Sequence, residues 1–363
     1  MILPTPELMQ KGIVKVKINR SSNMFVSLAG LGITLGIAFI VMFIMIFIMS
    51  ETPKATIYYF FAGPLTNKYY FGNMLNAAIP LMLTGLGISF AFRASMFNLG
   101  GEGQVYIGGL AAASVCLSLP GLPGIIGIPL SLAAAVLAGA LVAGLSGYFK
   151  FKWRTDELIS SFLISNALIY IVDNIITGVL QDPESSLLTS KKIAEQYWFL
   201  KIFPPSNLDI SIVFIVVLAF LAYFYLFKTH QGYEMRICGL NPEFARYGGI
   251  NVKKYFLLPM VLSGGFHGMA GAVSVMGTQH MLFKGFSGGM GWNGIAVALI
   301  ARNNPLAVIP SALFFAYLEA GAKSAMINAD ITIEIASVVQ AVVFYLITAQ
   351  AIYSFVQRRR RTA

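Results

Sequence analysis

The chain has 363 residues, of which 57% are hydrophobic and only 11% are charged, and its formal net charge is +10. Such an apolar composition excludes a soluble globular protein and indicates a polytopic membrane protein. The positive charge does not favour a nucleic-acid partner, because the basic residues lie at the ends of apolar runs, where anionic lipid attracts them.

About ten membrane-spanning helices are predicted, since roughly 20 apolar residues cross a bilayer and lipid offers the backbone no hydrogen-bond partner. The first apolar run is too long for the core of a signal peptide, so it is interpreted as a retained span. The predicted fold class is all-α. The predicted spans are 24–49, 71–91, 104–118, 125–148, 157–179, 209–227, 255–277, 292–302, 305–322 and 332–355.

The basic residues orient these spans. With both termini in the cytoplasm, eighteen of the 25 Lys and Arg lie inside and the other seven lie outside, as the positive-inside rule requires. Residues 1–23 are then a cytoplasmic N-terminal segment, residues 24–355 the transmembrane domain, and residues 356–363 a basic cytoplasmic tail.

Two glycine-rich interruptions stand out within the apolar sequence. Residues 97–104 (FNLGGEGQ) and 286–293 (FSGGMGWN) both begin with Phe, contain paired glycines and lead into small residues. The span count puts the first interruption toward the cytoplasm and the second toward the outside, which predicts an inverted internal repeat of the kind found in alternating-access transporters. In the alternative interpretation, the glycines only permit close helix packing, as predicted for Gly264 and Gly268.

Few ionisable residues lie in or beside the predicted spans, and the candidates considered for a role are Glu102, Asp173, His267, Glu319 and Lys323. Glu102 lies in the first interruption, where its carboxylate is expected to accept hydrogen bonds from backbone amides that have left a helix. Glu319 and Lys323 are four residues apart and are predicted to pair with each other. His267 is interpreted as a packed core histidine more readily than as a ligand. No series of acids suited to a proton relay is present.

Residues 180–208 form an unusually long external connection. This segment is predicted either to form a short amphipathic helix that covers an entrance or meets an external partner, or to lie as a solvated loop on the bilayer. In the second interpretation, Tyr197 and Trp198 are interfacial anchors.

A polar segment, residues 228–254, separates two long apolar runs and contains the signals of a short helix. Asn241 is suited to the N-cap, Pro242 to the first helical position, and Glu243 to the positive end of the helix. A short exposed helix that also carries Arg246 indicates a docking surface beside the membrane.

Several chemistries are missing from the sequence. It contains no G-x-x-x-x-G-K-[ST] motif for ATP phosphates and no metal-ligand spacing. Cys116 and Cys238 are predicted at different depths, which argues against a disulfide. The chain is therefore predicted not to be an enzyme and to bind no cofactor or metal, so any active transport takes its energy from another subunit or an ion gradient.

Residues 92–104 (FRASMFNLGGEGQ) and 239–251 (GLNPEFARYGGIN) carry a family resemblance. The chain resembles, over most of its length beyond about residue 70, the permease subunits of bacterial ABC importers in the branched-chain amino acid and ribose permease superfamily. The most similar group is the basic-membrane-protein-linked nucleoside importers.

That resemblance implies a multi-pass protein of the bacterial inner membrane with several partners. They are a cytoplasmic ATPase subunit that holds ATP and Mg, an extracytoplasmic substrate-binding protein, and a second permease, for which a paralogue is preferred over an identical copy. The coupling helix of the family would here contact the ATPase through Gly239, Asn241, Pro242, Glu243, Ala245, Arg246, Tyr247 and Gly248.

The implied function is inward transport of a purine nucleoside or a similar ribosyl heteroaromatic compound. Residues 155–167 depart from the pattern of nucleoside permeases, so riboflavin is the first alternative. An ion-coupled secondary transporter and a membrane-embedded signalling component are alternatives of other classes. Aromatic and amide side chains suit the substrate path, and the candidates are Phe97, Asn98, Glu102, Gln104, Phe162, Asn166, Phe286, Trp292 and Asn293.

Overall fold

The computed structural model describes residues 36–37, 39–48, 50–329, 338 and 341–342. The predicted flanks 1–23 and 356–363 lie outside the described residues, as do most of the first and tenth predicted spans. The helices of the described part are α1 Phe39–Ile48, α2 Pro53–Phe61, α3 Lys68–Arg93, α4 Gly101–Ser118, α5 Gly124–Trp153, α6 Glu157–Thr177, α7 Ser211–Lys228, α8 His230–Leu240, α9 Pro242–Tyr247, α10 Lys254–Ser274, α11 Met290–Ile300 and α12 Pro305–Asn328.

The predicted all-α membrane fold is confirmed. Among the described residues, six helices are long and apolar enough to cross a membrane: α3, α5, α6, α7, α12 and α10 with its continuation to Gln279. The second to ninth predicted spans correspond, within a few residues, to α3–α7 and α10–α12. Helix α8 was not predicted, because its sequence is polar and carries no apolar periodicity.

Helices α5 and α10 pack closely through small residues. The buried side of α5 has a small residue at every fourth position, and these are Gly127, Ser131, Ala135, Gly139, Ala143 and Gly147. A Cβ atom added to Gly264 would lie against the carbonyl oxygen of Gly139, and one added to Gly268 would lie against that of Ala135. The predicted close packing of these two glycines is therefore confirmed.

Contacts between chain segments identify one end of the bundle. Arg93 Nε donates to the carbonyl oxygen of Asn303 at 2.8 Å, and Ser95 Oγ donates to that of Gly239 at 2.6 Å. The C-terminal ends of α3 and α11 therefore lie beside α8 and α9. This end is called the α9 end, and the opposite end, which holds the segment 180–210, is called the far end.

The segment 180–210 is extended along the chain that follows α10. Within it the described helical structure is a single 3₁₀ turn, Glu195–Tyr197, so the amphipathic-helix alternative is wrong. Three of its amides, those of Ser190, Ile193 and Phe199, donate to the carbonyl oxygens of Leu282, His280 and Met276.

The two predicted interfacial anchors of this segment lie in different environments. Tyr197 is wholly buried, its ring packs on Gly127, and its hydroxyl donates to the carbonyl oxygen of Leu119. Its prediction as an interfacial anchor is therefore wrong. Trp198 stacks on the ring of His280, with 3.9 Å between ring centroids.

Candidate functional site

The two glycine-rich interruptions are real breaks between helices, and their ends meet. Residues 94–100, the first break, leave α3 at the α9 end, whereas residues 280–289, the second break, approach from the far end. Each break leads into a helix that begins four residues after its Phe, α4 at Gly101 and α11 at Met290. A Cβ atom on Gly291 would be 2.6 Å from the Cα atom of Glu102, so the two helix starts are in direct contact.

Glu102 joins the two breaks. Its side chain is 5% exposed, and it accepts hydrogen bonds from Gly289 N at 3.2 Å, from Gly291 N at 2.9 Å, and from the hydroxyl of Ser287. The predicted role of Glu102 as an acceptor for freed amides is confirmed, although the amides belong to the second break and the first turn of α11, and not to its own break. A carboxyl group at the start of α11 also faces the positive end of that helix.

Helix α6 fastens the backbone of the first break. Glu157, Ser161 and Ser165 repeat every fourth residue and accept hydrogen bonds from the amides of Phe97 at 3.3 Å, Leu99 at 3.1 Å and Gly103 at 2.7 Å. Backbone that has left a helix at membrane depth needs such partners. This row was not predicted from the sequence, because its signal, a polar residue at every fourth position in the first half of α6, is obscured by the further polar residues Ser160 and Asn166.

Asn98 of the first break and Gln104 in the first turn of α4 form a buried amide pair. Asn98 Nδ2 donates to Gln104 Oε1 at 2.8 Å, and Gln104 Nε2 donates to Asn98 Oδ1 at 2.9 Å. Asn98 Nδ2 also lies 2.9 Å from the hydroxyl of Ser263 on α10. These amides are satisfied by protein groups, so they shape the break.

His267 lies beside the same junction and is fully buried, as predicted. Its Nδ1 is 2.7 Å from the carbonyl oxygen of Ser263, and its ring fills the space beside Gly87 and Gly101. A Cβ atom on Gly101 would come within 2.5 Å of His267 Nε2. The imidazole ring of His267, which belongs to α10, therefore fills the space between α3 and the start of α4.

A cavity of about 430 Å³ opens above the second break, within the size range of small-molecule sites. One face of α3 forms a wall, with Tyr69, Asn73, Asn76 and Pro80 spaced three or four residues apart. The polar side chains that line the cavity are Asn73, Asn76, Asn207, Asp209, Ser274, Thr278, Gln279, Ser287, Asn293, Glu319 and Lys323.

A π-helical turn, Val275–Gln279, shapes the opposite wall. Asn76 Nδ2 donates to Thr278 Oγ1 across the cavity at 2.9 Å, and Gln279 Nε2 donates to the carbonyl oxygen of Phe286 at 2.7 Å. Single π turns occur frequently at functional sites, because the extra residue redirects the side chains around it. This turn carries Thr278 and Gln279 to the cavity surface.

The predicted path residues fall into separate places. Phe286 and Asn293 line the cavity, whereas Asn98, Glu102 and Gln104 lie buried beneath it. Phe97 lines a shallow cleft with Lys150 and Arg154 instead.

Phe162 and Trp292 make an edge contact, with 5.9 Å between ring centroids, on an outer face of the bundle. Their exposed fractions are 41% and 37%. Asn166 Nδ2, on the same helix as Phe162, donates to the Phe162 carbonyl oxygen at 2.9 Å.

The predicted capped helix is present as α9. Asn241 Oδ1 accepts the amide of Phe244 at 3.0 Å, Pro242 is the first helical residue, and Arg246 pairs with Glu243 at 3.2 Å. An exposed apolar surface surrounds the ion pair, with exposed fractions of 82% for Leu240, 63% for Phe244 and 91% for Tyr247.

Gly239 connects this surface with the first break. A Cβ atom on Gly239 would be 2.5 Å from the carbonyl oxygen of Arg93 and 2.9 Å from the Cα atom of Ala94. Together with the Ser95 hydrogen bond, this contact sets the α8–α9 junction directly on the residues where α3 ends.

Comparison with known proteins gives consistent matches. The family model described as branched-chain amino acid transport system / permease component matches residues 70–348. The chain is 34% identical to a probable riboflavin import permease protein of Treponema pallidum, over 83% of this chain and 80% of that protein.

Two further relatives carry other names. A guanosine ABC transporter permease protein of Bacillus subtilis is 31% identical over 79% of this chain and 83% of its own length. A glucose ABC transporter permease protein of Haloferax volcanii is 28% identical over 80% of this chain and 79% of its own length.

Proposed function

The chain belongs to the family of branched-chain amino acid transport system permease components, and from this premise we propose that it moves a purine nucleoside or a similar ribosyl heteroaromatic compound inward. It is a multi-pass membrane protein and a transporter subunit. The observation that carries the substrate proposal is the cavity of about 430 Å³ between α3, the π turn and the second break. Its surface is rich in neutral amides, which donate and accept hydrogen bonds as the edge of a heteroaromatic ring does.

Riboflavin is the second candidate substrate, favoured by the 34% identity to a probable riboflavin import permease. Riboflavin, guanosine and glucose, the compounds in the names of the three relatives, share a row of adjacent hydroxyl groups. A nucleoside and riboflavin add a flat nitrogenous ring system. Phe286 supplies an apolar surface at the cavity wall for such a ring, and Asn76 and Asn293 supply amides.

The energy source in this proposal is a separate ATPase that holds ATP and Mg and receives α9. The exposed side chains of Leu240, Phe244 and Tyr247 around the Glu243–Arg246 pair suit docking into a cleft of that partner. The complete importer would also contain a second permease, preferably a paralogue, and an extracytoplasmic binding protein in the bacterial inner membrane. Both termini would be cytoplasmic.

The proposed mechanism transmits movement of α9 to the cavity. A shift of α9 acts on Gly239 and Ser95, and so on the first break. Glu102 passes the shift to Gly289 and Gly291, because its hydrogen bonds tie the start of α4 to the start of α11. The cavity wall formed by the second break then moves, in keeping with alternating access around paired helix breaks.

The substrate proposal is tested by uptake into cells that carry the whole importer. Tritiated guanosine, inosine, adenosine and riboflavin are compared, with an ATPase-inactive importer as the control. ATP-dependent accumulation of at least one of these compounds is expected. Accumulation that follows an ion gradient and persists without the ATPase would favour a secondary transporter, and no accumulation of any compound would refute the proposal.

The docking proposal is tested by the double variant Glu243→Ala and Arg246→Ala. This change removes the charged side chains from the docking face but leaves Asn241 to cap the helix, so membrane insertion is expected to persist while uptake is lost. The matched control is Glu184→Ala with Lys191→Ala in the exposed external segment, for which normal uptake is expected. Uptake at the unmodified level in the α9 variant would refute the docking role.

A further inference from the structure

The cavity contains three charged residues among the described residues that line it, and one of them is committed elsewhere. Asp209 is 1% exposed, and its Oδ1 accepts the amide of Ser211 at 2.8 Å. Asp209 therefore secures the start of α7, and the charges that a bound molecule meets are those of Glu319 and Lys323.

Glu319 and Lys323 lie on one face of α12 and pair at 2.6 Å. Their side chains are 32% and 51% exposed, respectively. The bond joins one carboxylate oxygen to one of three ammonium protons, which leaves acceptor and donor capacity on both groups. An ion pair this exposed adds little to stability, so the fold of α12 does not depend on it.

The chemistry of the pair suits adjacent hydroxyl groups. Each hydroxyl donates one hydrogen bond and accepts others, and a carboxylate can accept from two neighbouring hydroxyls, as acidic residues do with the ribose of dinucleotides. The pair is neutral as a whole, so it offers no uncompensated positive charge for a phosphate or carboxylate. A neutral polyol is therefore the ligand that matches it.

We propose that Glu319, oriented by Lys323, recognises the adjacent hydroxyls of the substrate, so that the permease itself selects a ribosyl or ribityl group. The amides on the two walls formed by α3 and the π turn, among them Asn76 and Gln279, then face the ring system. The inference rests on the proposed function and deepens it, because it assigns part of the selectivity to this chain and not to the binding protein alone.

The experiment measures competition for tritiated inosine on the purified permease–ATPase complex without its binding protein. Unlabelled inosine and 2′,3′-dideoxyinosine are the competitors, and riboflavin with lumiflavin, which lacks the ribityl chain, forms a parallel arm. The unmodified complex is expected to prefer the hydroxylated member by about tenfold or more, the size of a hydrogen bond to a charged group. Glu319→Gln is expected to bring that ratio close to one by weakening only the hydroxylated compound.

Two variants complete the design. Lys323→Gln is expected to reduce the same ratio, since the carboxylate loses its orienting partner. Glu195→Gln, which changes an exposed carboxylate outside the cavity, is expected to leave the ratio unchanged.

An unchanged ratio in Glu319→Gln, or an equal loss for both members of a pair, would overturn the recognition role. So would an unmodified complex that does not distinguish or bind them. If these results occur while the whole importer still accumulates a nucleoside or riboflavin, the inference fails alone. If the importer accumulates neither, the proposed function fails with it.

Discussion

The first and second breaks both contain glycines, but for different physical reasons. In the first break and the start of α4, glycine is required by neighbours: a Cβ atom on Gly100 would be 2.8 Å from the carbonyl oxygen of Ser161, and one on Gly103 would be 2.6 Å from the Cα atom of Ser165. In the second break, Gly285, Gly288 and Gly289 have open space around them but φ angles of +80°, +56° and +80°. There the backbone conformation itself favours glycine.

The contrast assigns different roles to the two breaks. The first is wedged between helices and fastened by three side chains of α6, so it behaves as part of the bundle. The second is shaped by its own backbone and faces the cavity, and Glu102 ties it to the start of α4. The first break is therefore expected to move together with the helices around it and to pass that movement through Glu102 to the second break, which forms part of the cavity wall.

The largest loss of stability is expected from Gly103→Ala, which tests the tight packing of the start of α4 against α6. The added methyl group would overlap the backbone of α6 at Ser165, and overpacking of this kind costs about 3 kcal/mol. Thermal unfolding in detergent should show a large drop in midpoint. Gly121→Ala, in a loop with no atom within 4 Å of the added Cβ, is the control and should unfold as the unmodified protein does. Similar unfolding midpoints for the two variants would contradict this tight packing.

An intermediate loss of stability is expected from Glu102→Gln, which tests the hydrogen bonds that join the two breaks. The amide group of glutamine would set a donor against the donating groups of Ser287, Gly289 or Gly291, and a buried polar group without its partner costs about 2 kcal/mol. Uptake should fall by at least about tenfold, with a smaller drop in unfolding midpoint than for Gly103→Ala.

The control for these hydrogen bonds is Glu195→Gln, which changes an exposed carboxylate outside both breaks and should keep uptake near the unmodified level. Equal uptake in the Glu102 variant and the unmodified importer would show that the two breaks act independently.

The smallest effect is expected from Gly285→Ala, which tests the backbone of the second break. A residue with a Cβ atom at φ +80° costs about 1 kcal/mol, and the exposed site has room for the methyl group. Asparagine adopts this region more readily than alanine, so Gly285→Asn should unfold at a higher temperature than Gly285→Ala. The opposite order would mean that side-chain contacts, not φ, determine the choice of glycine.

Much of the fold could be predicted from the sequence, because hydropathy and capping are local properties. Long apolar runs located α3, α5, α7 and α12, and the Asn-Pro-Glu signal located α9 with its cap. The paired glycines located both breaks. Glu319 and Lys323 were predicted as a pair from their spacing alone.

The site was less predictable, because it depends on which distant residues meet. Nothing local to Glu102 indicates that its partners are Gly289 and Gly291, nearly 190 positions later. The burial of Tyr197 follows from the absence of a side chain on Gly127, a contact across two segments. The π turn was also missed, since a single extra residue leaves the hydropathy pattern unchanged.

The hydrogen bond between Ser95 and Gly239 limits how far the α8–α9 junction can move relative to the end of α3. At 2.6 Å it begins short, so a relative displacement of about 1 Å would stretch it to the limit of a hydrogen bond, while the backbone contact behind Gly239 resists compression. The contact between Ser95 and Gly239 therefore permits little relative movement in either direction. A partner that acts on α9 would therefore need to move it only a short distance, because this contact would pass the displacement directly to the first break inside the membrane.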